Sequence, residues 1–306
     1  MPLDPGAARL LRMLGASAPV DQDAPATEAR RLTIERLSRV AGGGAGPAVV
    51  TRDLQAAGPA GSIPLRLYAS AAPCSGALVW LHGGGWVAGG LDSHDPLCRR
   101  LAASSGVSVI AVDYRLAPEH RFPAAFEDAL AAVRWVAEHA GSLGLAAGKL
   151  AVGGDSVGAG LAAAVALSAD APPLVLQVLL CPVLDVVHER PSRRLFRHGF
   201  FMDPKTFSRD LDDYCGPGVD RTDPRLSPLL ARHLGREPPA LIHAAECDPF
   251  RDEACAYADR LCDVGVGARF VLWPGMIHYF YLLVGAIPAA APAVETLGAE
   301  LREALA

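Results

Sequence analysis

Two glycine-rich stretches contain the residue types that acyl-transfer chemistry requires. Residues 154–158 read Gly-Asp-Ser-Val-Gly, residues 82–86 read His-Gly-Gly-Gly-Trp, and each follows a short apolar run. The first has the form of a nucleophile elbow, which presents a serine on a tight strand-to-helix turn, and the second has the form of an oxyanion-hole loop. A chain with 31 glycines also produces such patterns by chance. Their occurrence together, each at the end of a predicted strand, indicates a hydrolase that transfers an acyl group.

The chemistry of both stretches depends on glycine. The turn at Ser156 requires a strained backbone, and the small flanking residues Gly154 and Gly158 accommodate it. The helix predicted directly after this turn consists almost entirely of small and aliphatic residues, as a buried central helix should. Its N-terminal N–H groups and the uncovered N–H groups of residues 83–85 are suited to stabilise an oxyanion. We interpret His82 as a residue that shapes this loop rather than as the catalytic base.

A serine hydrolase needs a base for its serine and a carboxylate that orients the base. In hydrolases with a nucleophile elbow the three residues follow in the order Ser, acid, His, with each partner on a loop after a strand. Of the nine histidines, only His278 follows the last predicted strand. His243 lies inside an apolar strand and is interpreted as a core residue, and the others precede the serine or fall in or near an insertion described below. His278 is therefore the candidate base.

Asp248 is the candidate acid, because it follows the strand that is predicted to end near Ala245. Glu246 is an alternative that could still belong to this strand. Asp252 is interpreted as a carboxylate in the first turn of a helix, where the helix dipole favours a negative charge. Asp155 is interpreted as a residue that anchors nearby loops by hydrogen bonding. An Asp-Pro pair is by itself typical of a turn, so the assignment of Asp248 depends on chain order.

The composition narrows the class of protein. With 306 residues, 51% of them hydrophobic, the chain can form one large α/β domain with a modest addition. Its formal net charge of −5 gives no reason to expect nucleic-acid binding, and neither a membrane span nor a secretory signal is predicted. Seven cysteines without paired spacing favour reduced thiols over disulfides or a zinc site. We therefore expect a cytoplasmic protein with no cofactor, no metal and no nucleic-acid or membrane partner.

Strand-like and helix-like segments alternate along most of the chain. This alternation predicts an α/β fold with a mostly parallel, eight-stranded sheet flanked by helices. The predicted strands are 49–55, 63–70, 77–81, 108–113, 149–153, 174–181, 240–245 and 268–273. The predicted helices are 5–14, 27–40, 122–140, 157–168, 252–264 and 292–306.

Two segments outside this alternation predict a helical cap. Residues 1–45 carry the two N-terminal helices, and residues 46–306 form the predicted catalytic domain. Within that domain, an insertion at about 185–230 is rich in arginine and aromatic residues and is too long for a simple crossover between strands. An ordinary pair of surface helices would also explain the insertion. We favour a cap, because the two segments together could roof Ser156 and form the walls of an acyl pocket.

With these motifs the chain resembles the bacterial hormone-sensitive-lipase-like (family IV) carboxylesterases of the α/β-hydrolase fold. The similarity runs from about residue 65 to the C-terminus and is weaker over the N-terminal helices, which still resemble that family's cap. The segments that carry it are 82–86, 112–120, 122–125, 154–158, 223–228, 248–253 and 276–278.

The resemblance implies Ser156 as nucleophile, Asp248 as acid and His278 as base. It also implies an oxyanion hole made of the main-chain N–H groups of Gly84, Gly85 and Val157, and a cofactor-free carboxylesterase that acts on short to medium acyl chains. Similar proteins further suggest a homodimer that pairs through the last strand.

Two departures from the family pattern concern the size of the substrate. Val157 replaces the alanine that is common after the serine, and Tyr279 stands where a glycine usually follows the histidine. We expect Trp86, Phe201 and Tyr279 to contact the substrate. The added bulk of Val157 and Tyr279 predicts a narrow pocket.

Two other classes of function stay open at this point. One is a non-catalytic small-molecule-binding protein on the same fold, such as the plant gibberellin receptors, which resemble these esterases but lack the catalytic histidine. Retention of Ser156, Asp248 and His278 argues against it. The other is a lipase, a lactonase or an amidase, because the same triad serves all of these reactions.

Overall fold

The computed structural model describes residues 2–16, 26–69 and 76–305. Residues 1, 17–25, 70–75 and 306, which include Cys74 and parts of the predicted N-terminal segment, lie outside the described residues. Eight strands form one sheet in the order β1-β2-β4-β3-β5-β6-β7-β8. Their bounds are β1 Val50–Gly58, β2 Gly61–Ala69, β3 Ala77–Leu81, β4 Ser108–Val112, β5 Leu150–Asp155, β6 Leu176–Leu180, β7 Ala240–Cys247 and β8 Ala268–Ile277.

The described residues also form helices, several of which flank the sheet. They are α1 Pro5–Ala16, α2 Ala26–Ala41, α3 Leu91–Ser105, α4 Ala124–Leu143, α5 Val157–Leu167, α6 Pro191–Leu195, α7 Pro204–Cys215, α8 Arg251–Asp263 and α9 Ala290–Leu305. Strand β2 pairs antiparallel with β1 and β4, and every other pairing within the sheet is parallel. The predicted α/β-hydrolase fold, with a mostly parallel eight-stranded sheet, is therefore confirmed.

The central strands and α5 form the core beneath the candidate site residues. Every residue of β3, β4, β5 and β6 is buried, as is α5 up to Val165. Strands that are covered by helices on both faces are apolar throughout, which explains why these segments read as continuous hydrophobic runs. The strand ends that carry the candidate residues are thus held by a rigid, close-packed centre.

Helix α3 was not predicted from the sequence. Its first turn is polar, and Pro96 lies inside it, so that the segment lacks the usual signs of a helix. The helix begins after Gly90, whose N–H group donates a hydrogen bond to the Ser93 hydroxyl at 3.0 Å. Its buried residues Leu97 and Leu101 lie on the face that packs against the sheet and α9. Tertiary burial therefore outweighs the weak local signal.

The two helical segments that were predicted as a cap contact each other. In α2, the Arg30 Nε donates to the Asp210 carboxylate in α7 at 3.1 Å, and the Thr27 hydroxyl donates to the Asp213 carboxylate at 3.3 Å. Arg31 also fastens α2 to the core by donating to the carbonyl oxygen of Val87 at 2.8 Å. The limits 1–45 and 185–230, and the role of these segments as a cap, stay predictions. Among the described residues, no helix combines the length and the apolar character that a bilayer crossing requires.

Candidate active site

Ser156 lies on a sharp turn between β5 and α5. Its φ and ψ are 55° and −122°, a left-handed conformation that is strained for any residue with a Cβ. Its N–H group donates to the carbonyl oxygen of Leu180 at 2.8 Å, which holds the turn on the neighbouring strand β6. A Cβ atom on Gly154 or Gly158 would collide with the carbonyl oxygen of Leu81. The glycines of the G-x-S-x-G pattern are therefore required by close backbone approach on both sides of the serine.

His278 and Asp248 meet the serine in one chain of hydrogen bonds. The Nε2 atom of His278 lies 2.9 Å from the Ser156 Oγ, and its Nδ1 atom lies 2.8 Å from an Asp248 carboxylate oxygen. Because a carboxylate only accepts, Nδ1 carries the proton in this chain and Nε2 is left to accept the serine proton. All three side chains are at least nine-tenths buried. The arrangement has the geometry of a base that is oriented by a carboxylate and bound to a hydroxyl nucleophile.

The parallel sheet brings these loops together. Asp248 directly follows β7 and His278 directly follows β8, and parallel neighbours end at the same edge of a sheet. The other oxygen of the Asp248 carboxylate accepts the N–H group of Phe250 at 2.8 Å, which fixes the orientation of the carboxylate.

The alternative acids lie elsewhere. Glu246 belongs to β7, and its carboxylate accepts the N–H group of Gly275 at 2.8 Å, so that it braces the segment before His278. Asp252 lies in the first turn of α8 and accepts the N–H group of Ser192 at 2.8 Å. The structure therefore brings Asp248, and neither of these residues, to His278.

The predicted oxyanion-hole residues border the turn at Ser156. Gly84 and Gly85 have φ values of 130° and 69°, and neither N–H group donates a hydrogen bond within the described part of the chain. Val157 opens α5, where the first N–H groups have no partner in the helix. A Cβ on Gly84 would collide with the carbonyl oxygen of Ala88, so the loop path excludes other residues there. These donors are free to bind the oxygen of a tetrahedral intermediate.

Asp155 holds the glycine loop next to the nucleophile. Its carboxylate accepts the N–H group of Gly83 at 3.1 Å and lies 3.2 Å from the His94 Nε2. The ring of His82 stacks on that of Tyr114 at 4.2 Å, and the Tyr114 hydroxyl donates to the carbonyl oxygen of His82 at 2.6 Å. Burial, with a smaller contribution from His94, lowers the pKa of His82 to about 3, which keeps its imidazole neutral. These contacts hold the glycine loop in place beside Ser156.

The predicted substrate-contacting residues occupy two places. Phe201 stacks on Tyr279, with ring centroids 5.7 Å apart, next to the candidate base. Trp86 is buried instead against Tyr214 of α7, at 4.9 Å. The structure thus brings Phe201 and Tyr279 together, whereas Trp86 packs against α7.

Sequence reasoning did not assign Phe250 to the site. Its ring meets that of His278 edge-on at 5.2 Å, and Phe207 of α7 packs on it at 5.0 Å. Its position two residues after Asp248 was the only feature of the sequence that could have placed it near the site. The ring closes one side of the imidazole from solvent.

Helix α7 also reaches the glycine loop through Asp210, which no sequence pattern indicates. A Cβ on Gly85 would collide with the Asp210 carboxylate, so this side chain lies directly on the loop. Burial raises the pKa of Asp210, while the nearby Arg30 opposes that shift. Arg30 and Asp210 therefore form a largely buried ion pair that joins α2 and α7 above the loop.

Replacing Arg30 by methionine should destabilise the protein by about 3 kcal/mol, because it removes the hydrogen-bonded partner of the buried Asp210 carboxylate and leaves it the more distant Arg209, at 3.7 Å. The folded-state pKa of Asp210 is raised, so the loss should be full at high pH and should shrink as the pH falls and Asp210 takes up a proton. Urea unfolding at several pH values measures this. Arg36→Met, on the exposed face of α2, is the control. The double variant Arg30→Met/Asp210→Asn should recover most of the loss, and a fully additive loss would contradict the pairing.

The chain matches a family model and is similar to curated proteins over most of its length. A model described as the alpha/beta hydrolase fold matches residues 78–282. An ethyl acetate hydrolase of Pseudomonas putida is 41% identical over 300 residues, which cover 92% of each chain. The carboxylesterase NlhH of Mycobacterium tuberculosis is 39% identical over 235 residues, or 74% of this chain and 73% of that protein.

Solved structures agree with this similarity. A hyperthermophilic esterase from the archaeon Pyrobaculum calidifontis aligns with a TM-score of 0.92 at 35% identity and covers 100% of both chains. An α/β-hydrolase enzyme from the metagenome of Lake Arreo, Spain, aligns with a TM-score of 0.93 at 36% identity and covers 98% of both chains. The fold, the order of the candidate residues and these relatives agree, and the chain belongs to the hormone-sensitive-lipase-like carboxylesterases of the α/β-hydrolase fold.

Proposed function

We propose that this protein hydrolyses short- to medium-chain carboxylic esters through an acyl-enzyme formed on Ser156. The observation that carries the proposal is the unbroken hydrogen-bond chain from Ser156 through His278 to Asp248. The N–H groups of Gly84 and Gly85 have no hydrogen-bond partner among the described residues and are therefore available to bind a tetrahedral oxyanion. Together they supply a nucleophile, a base and electrostatic stabilisation, the three components that ester hydrolysis requires.

The reaction follows from these positions. The Ser156 Oγ attacks the ester carbonyl as its proton moves to the Nε2 of His278, and Asp248 stabilises the imidazolium that forms. The main-chain N–H groups of Gly84, Gly85 and Val157 bind the oxyanion. His278 then returns the proton to the leaving alcohol, and a water molecule, activated by the same imidazole, cleaves the acyl-enzyme.

A non-catalytic binding protein is the less favoured alternative. A receptor on this fold would not require a buried imidazole held between a carboxylate and a hydroxyl, since the use of such an arrangement is to activate the hydroxyl as a nucleophile. Hydrolysis of p-nitrophenyl acetate by the purified protein separates the two functions. Tight binding of small esters without turnover would favour the receptor.

The surroundings of Ser156 support a limited acyl length. The cavity at the nucleophile is small and is lined by Cys181, Tyr279, Tyr281 and Leu282 among others. A second, open pocket is formed mainly by the insertion and is lined by Phe196, Met202, Phe207 and Phe250 among others. Phe250 separates this pocket from the imidazole of His278. The apolar walls favour aliphatic groups that fit without overpacking.

The acyl-length profile should rise from acetyl to about butyryl or hexanoyl and then fall, because each buried methylene contributes roughly 0.8 kcal/mol until the pocket is full. Tyr279 has a φ of 71°, which a glycine adopts without strain. Tyr279→Gly should therefore keep the fold and move the optimum to longer chains. The measurement is kcat/KM over a series of p-nitrophenyl esters.

Leu195→Ala is the control for this series, because that residue lies in the insertion with a 62% exposed side chain. Its profile should match that of the wild type. An unchanged profile in Tyr279→Gly would show that Tyr279 does not limit acyl length. Efficient hydrolysis of long-chain triglycerides by the intact protein would favour a lipase.

We also propose a homodimer that pairs through β8. This strand is at one edge of the sheet, and Leu272 on it is 40% exposed. An unpaired edge strand presents free N–H and C=O groups to a second copy. Light scattering should give the dimer mass, and Leu272→Lys should shift the population toward the monomer. A monomeric wild type at high concentration would refute the pairing.

A further inference from the structure

The loop that carries His278 begins at an irregular point of the sheet. The register of β7 with β8 shifts between Ala245 and Cys247, close to the end of both strands. Residues 274–276 of β8 there lie opposite the single residue 246 of β7, as in a β-bulge, so the regular ladder is interrupted just before the base. Contacts outside the ladder must therefore fix where His278 lies relative to the acid.

The turn directly after His278 contains a strained residue. Tyr279 has φ and ψ of 71° and 4°, a left-handed conformation that is unusual for a residue with a Cβ. A short 3-10 turn, Phe280–Leu282, follows, and the N–H group of Leu283 donates to the carbonyl oxygen of Phe280 at 2.9 Å. Backbone strain of this kind persists only where surrounding contacts hold it.

Tyr281 ties this turn to strand β7. Its hydroxyl lies 2.5 Å from the Nδ1 of His243, and both side chains are buried. The indole Nε1–H of Trp273, in β8, donates to the same Nδ1 at 3.2 Å. Because an indole N–H can only donate, Nδ1 is an acceptor without a proton, and the Tyr281 hydroxyl also donates to it. The polar partners of His243 are thus residues on β8 and on the turn after the base.

Glu300 of α9 holds the His243 ring from its other side. Since Nδ1 accepts, the ring proton is on Nε2, which donates to a Glu300 carboxylate oxygen at 2.7 Å. Burial alone would raise the pKa of Glu300, but the hydrogen bond from His243 lowers it overall, so the carboxylate is charged near neutral pH. The Arg269 Nε lies 2.9 Å from the other oxygen. Carboxylate, imidazole and hydroxyl therefore follow one another in the same order as in the candidate triad.

We infer that Tyr281 is a positioning residue for His278, whose hydroxyl, held by His243 and Glu300, fixes the loop of the base against the strand that leads to the acid. The inference rests on the proposed function of His278. Tyr281 lies three positions after His278 and lines the same small cavity as Ser156. A tether at this point limits the movement of the turn that bears the imidazole. A small displacement of the imidazole from the serine slows the chemical step without weakening substrate binding.

Tyr281→Phe removes the hydroxyl and keeps the ring. With p-nitrophenyl butyrate, this variant should lose roughly three- to tenfold in kcat with little change in KM. Tyr257→Phe is the matched control, because Tyr257 is also fully buried and its hydroxyl donates to Gln177 at 3.4 Å, near the start of β6 and away from Ser156. The control should keep the wild-type kcat. A purely structural role of the Tyr281 hydroxyl would lower the free energy of unfolding and leave kcat unchanged.

His243→Leu tests whether the hydroxyl acts through this imidazole. The variant should also lose kcat, because it leaves the Tyr281 hydroxyl without its acceptor. The double variant Tyr281→Phe/His243→Leu should lose no more than His243→Leu alone, since both changes break the same contact. Additive losses would overturn the inference, and so would a wild-type kcat in Tyr281→Phe. Inactive wild-type protein would contradict the proposed function, whereas an active enzyme that is insensitive to Tyr281→Phe would contradict only the positioning role.

Proton NMR tests the position of the imidazole without relying on turnover. The Nδ1–H group of His278, donated to Asp248, should give a far-downfield resonance, which Asp248→Asn identifies by removing it. We expect this resonance to move upfield and broaden in Tyr281→Phe, and to stay unchanged in Tyr257→Phe. An unchanged resonance in Tyr281→Phe would overturn the inference, even if kcat fell or the His243 variants were poorly folded.

Discussion

Ser156→Ala should lower kcat/KM for p-nitrophenyl acetate by at least about a thousandfold while the protein stays folded. The reason is that the serine is the only hydroxyl within hydrogen-bond distance of the His278 Nε2 among the described residues, at 2.9 Å. The oxyanion donors and the imidazole remain in the variant, so a low residual rate is expected. The measurement is steady-state kinetics, with circular dichroism to establish the fold.

Ser142→Ala, at an exposed hydroxyl on α4, is the control and should leave the rate unchanged. An irreversible phosphonate should add to Ser156 and to no other serine, which mass spectrometry of the labelled peptide would show. Near-wild-type turnover in a homogeneous sample of Ser156→Ala would refute the proposed mechanism, whatever the behaviour of the other variants.

Asp248→Asn should lower kcat roughly 10²- to 10⁴-fold with a smaller effect on KM. An amide at this position can donate to the Nδ1 of His278, which moves the ring proton to Nε2 and leaves no lone pair to accept the serine proton. It also removes the negative charge that stabilises the imidazolium. Pre-steady-state kinetics should show that formation of the acyl-enzyme is the step that slows.

Glu246→Gln is the matched control, because it neutralises the neighbouring carboxylate two positions earlier. The amide oxygen can still accept the N–H group of Gly275, so the brace before His278 should survive. We expect a loss of less than about tenfold. If the Glu246 variant lost more activity than the Asp248 variant, the assignment of the acid would be wrong.

Much of the fold and of the candidate site could be predicted from the sequence, because the relevant signals are local. A serine between two glycines at a strand end specifies the elbow wherever the strand lies, since the constraint comes from the turn itself. Continuous apolar runs identified the central strands, because strands covered on both faces have no polar side. Chain order then reduced nine histidines to His278 and favoured Asp248 over Glu246. The catalytic roles themselves stay proposals until the variants are measured.

Only the tertiary structure decided which distant residues meet. Ser156 and His278 are 122 positions apart, and Arg30 and Asp210 are 180 positions apart, so no periodic pattern connects them. The order of the strands in the sheet sets the first contact, and the packing of two separate helices above the glycine loop sets the second. Helix α3 was not predicted either, because its stability comes from tertiary burial rather than from local helix propensity. By itself the sequence determined the chemistry of the turn at Ser156 and the order of its candidate partners. Long-range packing determined the contacts of Ser156 with His278 and of Arg30 with Asp210, because such contacts depend on where whole elements lie in space.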